Sequence, residues 1–468
     1  MVHSAARARP FSGFLRYAAG VLRKTDSIVS NTDSRGQGDW MIVVALECLA
    51  LGAWPQRFSL SGMSKLSIAW GPERTVSRSG GELRFEFQDR WMSQNHACMV
   101  RTGDRWTFVD NGSRNGSRVN GERITREPLK DGDVIHCGGT FLVLRRTSAE
   151  ATEPKTLAEM PEALRTVSPE LGREFSVLPK IAASALPLLV LGESGTGKEG
   201  TVNAVHALSG RDGPLVAVNC GAIPATLIES ELYGSRRGAF SGAQDRVGLV
   251  RTADRGTLFL DEMAELPVSS QAALLRLLQE KEIRPLGCTK PLDVDVRVIA
   301  ATNHNVTALV EDGKLRRDLY ARLSGYELRM PPLRERLEDL GMLVGALIKR
   351  HDKQGGNRTL TPGAAAALFA YPWPLNIRQL EQCLSAAVTL TSGEIGEEHL
   401  PKPVREARHS ARASAFEHDR LVATLEKHNG NLSKVARELA TSRSQLYRLL
   451  ARHSIQAYAT RRPTTKTP

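Results

Sequence analysis

Gly192-Glu193-Ser194-Gly195-Thr196-Gly197-Lys198 is the stretch from which the rest of this chain is read. It satisfies GxxxxGK, follows the apolar run Leu188–Leu191 and precedes a helical pattern. In that setting the glycines let backbone N–H groups wrap phosphate oxygens, the helix N-terminus adds a positive dipole, and Lys198 reaches the outer phosphates. Glu199 stands where such loops usually carry a magnesium-binding Ser or Thr. Further along, Thr257-Leu258-Phe259-Leu260 delivers Asp261-Glu262 at the carboxyl end of a strand, where α/β sheets bind ligands. Asp261 suits magnesium coordination through water, and Glu262 suits polarising an attacking water. These buried-type strands, with Val296–Ala300, alternate with helical runs and predict a parallel sheet covered by helices and closed by a helical lid, over residues 164–400.

Around this core the chain is long enough for further domains, at 468 residues, and its 41% hydrophobic and 24% charged content is that of globular proteins. Lys plus Arg exceed Asp plus Glu by 63 to 51, a net charge of +12, which favours a polyanionic partner. The six cysteines, Cys48, Cys98, Cys137, Cys220, Cys288 and Cys383, form no CxxC or zinc-type cluster and fit a reducing, cytoplasmic setting. The longest apolar run, Met41 to Trp54, includes Glu47 and is shorter than the roughly 20 residues a membrane helix needs, so no membrane anchor is expected. The first 40 residues lack the features of a secretory signal, and no solenoid-type repeat is present.

Texture divides the chain further. Residues 1–63 show no sustained period and receive no assignment, and Met41 and Met63 both suit a translation start. From 64 to 147 short alternating strands are separated by Asn115-Gly116 and Asn120-Gly121, pairs that favour tight hairpins, which predicts an all-β sandwich. Residues 148–163 and 401–413 read as linkers, 414–455 as a small all-α module, and 456–468 as a basic tail.

Within the sandwich, Arg78, Ser93-Gln94-Asn95-His96, Ser113-Arg114-Asn115-Gly116 and Leu129-Lys130-Asp131-Gly132-Asp133 together resemble a forkhead-associated (FHA) domain. The resemblance implies that Arg78 and Ser93 hold a phosphothreonine phosphate, that Asn115 bonds the peptide backbone and that His96 buttresses the loop. The family usually has Gly before this Arg, and here Ser77 stands there. The alternative is a sandwich whose Asn-Gly turns only set strand register.

The central region resembles the bacterial enhancer-binding branch of AAA+ ATPases, activators of sigma-54 RNA polymerase. The likeness runs through GESGTGKE, Val218-Asn219-Cys220-Gly221-Ala222-Ile223, ESELYG from Glu229 to Gly234, TLFLDE, Arg297 to Asn303 and Leu315 to Leu323. It implies ATP and Mg2+ as ligands, with Gly192, Glu193, Ser194, Gly195, Thr196, Gly197, Lys198, Glu199, Asn303 and Arg378 binding nucleotide and Asp261 binding the metal through water. It further implies that Asn219 pairs with Glu262 as a switch, that Thr302 and Asn303 form a first sensor, and that Arg316 and Arg322 reach into a neighbouring subunit of a homo-oligomeric ring, six subunits being typical. Arg378, in Trp373-Pro374-Leu375-Asn376-Ile377-Arg378, resembles a second sensor, with Leu375 where the family generally has Gly. Gly238-Ala239-Phe240-Ser241-Gly242-Ala243 resembles the GAFTGA loop that grips sigma-54, with Ser241 in place of Thr.

Residues 401–468 carry 14 Lys plus Arg against 5 Asp plus Glu, a net +9. Their helical pattern, with Val435, Leu439, Leu446 and Leu449 suited to a small core, resembles a Fis-type helix-turn-helix. That resemblance makes Ser442 a helix cap and puts Arg443, Ser444, Gln445, Tyr447 and Arg448 on the helix that meets enhancer DNA. The combined reading is a sigma-54-dependent activator under kinase signalling, whose front end binds a phosphothreonine-containing protein or kinase. The rivals are a AAA+ remodelling ATPase with another client, and a DNA-binding repressor or scaffold with an inactive motor.

Overall fold

The computed structural model describes residues 39–53, 55–147, 160–239, 244–352 and 355–407, then Leu421, Thr424, Leu425, Lys427, His428, residues 432–439, Leu446 and Leu450. Twelve strands make the first unit: β1 (Asp39–Glu47), β2 (Gln56–Ser59), β3 (Lys65–Trp70), β4 (Thr75–Ser79), β5 (Glu82–Phe87), β6 (Ala97–Thr102), β7 (Arg105–Asp110), β8 (Ser117–Val119), β9 (Glu122–Ile124), β10 (Arg126–Pro128), β11 (Val134–Cys137) and β12 (Thr140–Thr147). They form two facing sheets in the orders β2-β1-β12-β11-β8-β9 and β10-β7-β6-β3-β5-β4. Alternation decides which side chains face inward. Leu83, Phe85 and Phe87 of β5 meet Trp106 and Phe108 of β7 in one buried cluster, which is the expected sandwich. Asn120 and Gly121 both adopt positive φ, 50° and 86°, in the β8–β9 hairpin turn.

The sandwich begins well before the boundary expected at residue 64. β1 pairs along its length with β12, from Asp39↔Thr147 to Glu47↔Thr140, and β2 pairs with β1. The segment looked featureless because β1 is covered on both faces. Trp40, Ile42 and Val44 join the sandwich core, while Met41 and Val43 pack with Val167, and Ala45 and Leu46 pack into the lid of the next unit. A strand buried on both sides carries no polar alternation.

The second unit is a five-stranded, all-parallel sheet. Its strands are β13 (Leu188–Leu191), β14 (Leu215–Asn219), β17 (Thr257–Asp261), β20 (Arg297–Thr302) and β21 (Tyr326–Arg329), in the order β14-β17-β20-β13-β21. Two small ribbons flank it, β15 (Gly234–Ser235) with β16 (Arg246–Val247), and β18 (Glu282–Ile283) with β19 (Leu292–Asp293). Successive residues of the sheet face opposite helical layers: Leu258 and Leu260 lie in one cluster and Phe259 in the other. The lid consists of helices Leu340–His351, Pro362–Ala370 and Asn376–Leu390. Residues 402–407, expected as linker, are helical, and Val404 is buried in the lid cluster.

The sandwich is docked on that lid. Phe141 stacks on Phe369 with ring centroids 4.7 Å apart and an interplanar angle of 3°, and Leu360 N–H donates to Cys48 O at 2.9 Å. Gly341 lets the helix Leu340–His351 approach β1 so closely that a Cβ there would collide with the carbonyl oxygen of Ala45.

In the third unit the helix Leu432–Glu438 packs Val435 and Ala436 against Leu421, Leu425, Leu446 and Leu450, with Leu439 half-buried beside them. Leu449 lies outside the described residues, as do Ser442, Arg443, Ser444, Gln445, Tyr447 and Arg448. Among the described residues no helix is long and apolar enough to cross a membrane. The six cysteines are free thiols.

Candidate functional site

Because all five strands of the central sheet run parallel, Leu191, Asn219, Asp261, Thr302 and Arg329 end on one edge. β13 lies between β20 and β21, so the chain leaving it enters the crevice where strand order reverses. The loop Gly192–Gly197 fills this crevice and runs into the helix Lys198–Leu208, with φ of 77° at Gly195 and 104° at Gly197. A Cβ at Gly195 would strike the carbonyl oxygen of Leu375 in the lid, so only glycine permits the loop to nest there.

Lys198 is almost fully buried. Its Nζ donates to Gly192 O at 2.8 Å and to Glu193 O at 3.3 Å, and stands 4.0 Å from Glu262 Oε1. Burial lowers its pKa, opposed by the negative charges of Glu262 and Asp261. Glu262 adopts a left-handed backbone, φ 49° and ψ 48°, which turns the chain sharply as it leaves β17. Asp261 Oδ1 accepts from Glu262 N–H at 3.1 Å, and Glu262 Oε2 accepts from Asn303 N–H at 3.3 Å. Thr302 is buried, its hydroxyl accepting from His304 N–H. Glu199 is exposed at the start of the helix.

Asn219 lies beside Asp261 in the register of β14 and β17 but does not pair with Glu262. Its Oδ1 instead accepts from Gly221 N–H at 3.0 Å and Ala222 N–H at 3.2 Å, capping the turn that follows. This short-range bond competes with the longer reach to Glu262, whose carboxylate is engaged by Lys198 and Asn303.

The lid closes the other side. Arg334 grips Glu193 through two bonds of 2.9 and 2.6 Å, and these hold the Glu193 carboxyl down to about 2. Asn376 adds bonds from Nδ2 to Glu193 Oε2 and Ser194 O, and Arg378 Nη1 donates to Ser194 Oγ at 3.2 Å. Leu375, with φ −107°, is in an ordinary backbone region, so this turn has no need of glycine there. The positive φ falls on its neighbours Trp373 and Asn376, at 49° and 53°.

Arg316 and Arg322 are exposed at and within the helix Arg317–Leu323. Arg316 forms two bonds to Asp318, of 3.0 and 2.8 Å. Gly238 and Ala239 lie in the connection between β15 and β16, which Arg237 N–H spans by donating to Asp245 Oδ1, and Ala239 lies against Gly287. Phe240, Ser241, Gly242 and Ala243 lie outside the described residues. Among the described residues no group of three or more metal-type side chains occurs. Magnesium in a nucleotide site needs only one or two carboxylates besides phosphate and water, and Asp261 beside the phosphate loop meets that requirement.

In the sandwich, one end gathers most of the expected phosphopeptide residues. Ser93 Oγ accepts from Arg114 N–H at 3.1 Å, Asn115 Nδ2 donates to Trp91 O at 2.8 Å, and His96 Nδ1 accepts from Ser93 N–H at 3.0 Å. Arg78 is not brought to this end. It pairs with Leu83 in the β4–β5 hairpin and its Nη2 lies 3.4 Å from Ser59 O, near the start of β1. Ser93 O, by contrast, accepts from Trp70 N–H at the far end of β3. Leu66 beside Leu83 is four residues back along that strand, about 13 Å at 3.3 Å per residue. The Gly80-Gly81 turn inserts β4 into the connection and carries Arg78 away. Besides Arg114, whose N–H reaches Ser93 Oγ, the chain leaving the Trp70 end of β3 carries Arg74. Its Nη1 pairs with Glu47 at 2.9 Å, while its buried Nε and Nη2 have no hydrogen-bond partner. In Gly71-Pro72-Glu73-Arg74, directly after β3, the residue before the Arg is Glu73 and not Gly, so motif spacing gives no signal for it.

A phosphate loop, a paired acid at a strand end on the same edge of the sheet and a lid packed on the loop define a AAA+ ATPase. Comparison with known families agrees. The family described as Sigma-54 interaction domain matches residues 164–329, AAA+ ATPase lid domain 334–416, FHA domain 78–138, and Bacterial regulatory protein, Fis family, 413–453. Transcriptional regulatory protein GlrR of Escherichia coli (strain K12) is 37% identical over 318 residues, 66% of this chain and 72% of its own length. Nitric oxide reductase transcription regulator NorR1 of Cupriavidus necator is 43% identical over 311 residues, 59% of this chain and 60% of its own. Among solved structures, NtrX from Brucella abortus in complex with ADP matches at 31% identity and a TM-score of 0.49, over 62% of this chain and 69% of that one. The chain belongs to the sigma-54-dependent transcriptional activators, the bacterial enhancer-binding proteins, with an FHA domain before the AAA+ ATPase and a Fis-type helix-turn-helix after it.

Proposed function

We propose that this protein binds enhancer DNA, assembles as a ring and uses ATP hydrolysis to drive sigma-54 RNA polymerase from the closed to the open promoter complex. The observation that carries this reading is the meeting of Lys198, Asp261, Glu262 and Arg378 around one glycine-shaped phosphate loop, in the same domain whose sequence carries Gly238–Ala243. In the reaction, loop N–H groups and Lys198 hold the phosphates of ATP. Glu262 orients a water and draws its proton as the water oxygen bonds the γ-phosphorus and the bond to the β–γ bridging oxygen breaks, releasing ADP and phosphate. Asp261 would hold magnesium, which would supply positive charge beside the phosphate oxygens. Arg378 reports lid closure over the loop. Arg316 leaves Asp318 to reach a neighbouring subunit's nucleotide, together with Arg322, so that hydrolysis needs the ring. The Asn219 switch requires that side chain to release its turn and turn towards Glu262.

The segment Gly238–Ala243 transmits the stroke: Phe240, between Gly238 and Gly242, contacts sigma-54, and Ser241 keeps the hydroxyl of the usual Thr. The helix-turn-helix meets DNA through Arg443, Ser444, Gln445, Tyr447 and Arg448, with Ser442 capping the helix, in a segment of net charge +9. The FHA domain reads phosphothreonine at the Ser93–Asn115 end, with Arg74 in the place first assigned to Arg78. Phe240→Ala separates the steps. ATP turnover stays near the wild-type rate while transcription from a sigma-54 promoter is lost, and a variant that still activates would remove the role given to the loop.

A further inference from the structure

The turn Leu337–Asp339, with Arg336 immediately before it, lies between the FHA domain and the phosphate loop and is gripped from both sides. On one side Arg145 of β12 donates from Nε to Glu338 Oε2 at 2.9 Å, from Nη2 to the same oxygen at 2.5 Å, and from Nη2 to Glu335 O at 2.6 Å. The Glu338 side chain is only 2% exposed, and burial pushes its pKa up while Arg145 pulls it down. On the other side Arg336 donates from Nη2 to Thr196 O in the phosphate loop at 2.6 Å. Its Nη1 lies 3.9 Å from Asp339 Oδ2, and Asp339 is fixed in turn by Thr166 Oγ1 and Val167 N–H, both at 2.7 Å. Arg336 Nε is buried without a partner, so this guanidinium keeps its place only through Thr196 O and the acids beside it.

We infer that Arg145 of the FHA domain is a positioning residue for the ATPase, acting through Glu338, Asp339 and Arg336 to fix the Thr196 carbonyl. That carbonyl belongs to a loop whose amides must all point at phosphate oxygens, so its direction helps set theirs. Removing Arg145 leaves the buried Glu338 carboxylate without its hydrogen-bonded cation, with Arg336 the cation still facing it. The turn relieves it by moving towards water, which draws Arg336 off Thr196. A surface ion pair would not do this, since exposed pairs contribute little to fold or function. Coupling of this kind is reciprocal: whatever the FHA domain binds that disturbs β12 alters ATP affinity, and ATP alters the affinity of the FHA domain for its ligand.

The inference rests on the phosphate loop holding ATP. The test uses the full chain as wild type, Arg145→Met, Arg145→Lys, Glu338→Gln, the Met/Gln double variant and the control Arg84→Met, whose ion pair with Glu86 is exposed. Affinity for a fluorescent ATP analogue, the KM and kcat of hydrolysis, and the unfolding midpoint are recorded for each. Arg145→Met is expected to weaken ATP binding about 5- to 10-fold, carried in KM rather than kcat. Arg145→Lys recovers part of the loss, the double variant is no weaker than the single, and Arg84→Met matches wild type. If Arg145→Met and Glu338→Gln lower the unfolding midpoint yet bind ATP as wild type does, Arg145 is structural glue and the inference is wrong. A wild-type chain that binds no ATP at all overturns instead the nucleotide reading beneath it. Should Arg145→Met fail to fold, Glu338→Gln, which keeps a polar side chain of the same shape, decides by the same ATP measurement.

Discussion

Gly341→Ala tests the docking of the FHA domain on the ATPase lid, and two opposed magnitudes set its outcome. In a helix that touched nothing, Ala for Gly stabilises by about 0.5–1 kcal/mol. Gly341 is the second residue of its helix, where the gain is towards the lower figure. Against this, the added methyl meets the Ala45 carbonyl oxygen, with Ala45 C and Leu46 Cβ each at 2.9 Å, and these are main-chain and strand-borne atoms that cannot swing aside. Overpacking of a tight contact costs about 1–3 kcal/mol, so the collision wins and the net loss is about 0.5–2.5 kcal/mol. For a unit of this size each kcal/mol moves the unfolding midpoint by about 2–4 °C, which makes a fall of several degrees. Calorimetry of the full chain reads it directly, and Gly345→Ala, which meets the carbonyl of Leu51, must shift the same way. A rise in midpoint for both variants would refute the close approach and the docking argued from it.

Three further outcomes follow from the site. Glu262→Gln lowers ATP turnover by about 10²–10⁴-fold while ATP binding survives, checked by steady-state hydrolysis beside nucleotide titration; retained turnover removes Glu262 as the base. For Glu193, the bonds from Arg334 hold the folded pKa at about 2 against an ordinary 4.5. A depressed carboxylate stabilises fully above its unfolded pKa, so the stability difference between wild type and Glu193→Gln stays constant down to pH 4.5 and closes as pH falls towards 2. An NMR titration that finds Glu193 near 4.5 contradicts the pairing. Arg74→Ala abolishes the preference of the FHA domain for a phosphothreonine peptide over its unphosphorylated twin, while Arg78→Ala leaves it; the reverse order, read by fluorescence anisotropy, restores Arg78.

What the sequence revealed, and what it hid, follows from the range of the forces involved. The phosphate loop and the Asp261-Glu262 strand end were legible because their chemistry is local: glycines, a lysine and an acid pair at fixed positions along strands that run apolar on both faces. β1 was hidden for the same reason turned round. It also is covered on both faces, by the facing sheet of the sandwich and by the lid, and its pairing strand β12 lies about a hundred residues away in sequence. Arg78 misled because its interval to Ser93 suits an FHA loop, whereas the Gly80-Gly81 turn spends that interval on an extra hairpin. Asn219 stands in the expected register, but its side chain caps its own turn, a bond that motif spacing does not reveal. The Arg145–Glu338 contact joins residues 193 apart and belongs to the pairing of these two domains, which neither domain's motifs record.

The most direct measurement is of promoter melting. Purified protein, sigma-54 polymerase and a sigma-54 promoter with enhancer DNA are combined with ATP, and strand opening is followed by permanganate reactivity of unpaired thymines. Opening that appears only with ATP, and is absent with Asp261→Asn, is the result required here. Vigorous ATP hydrolysis without any opening would contradict it and give the motor a different client.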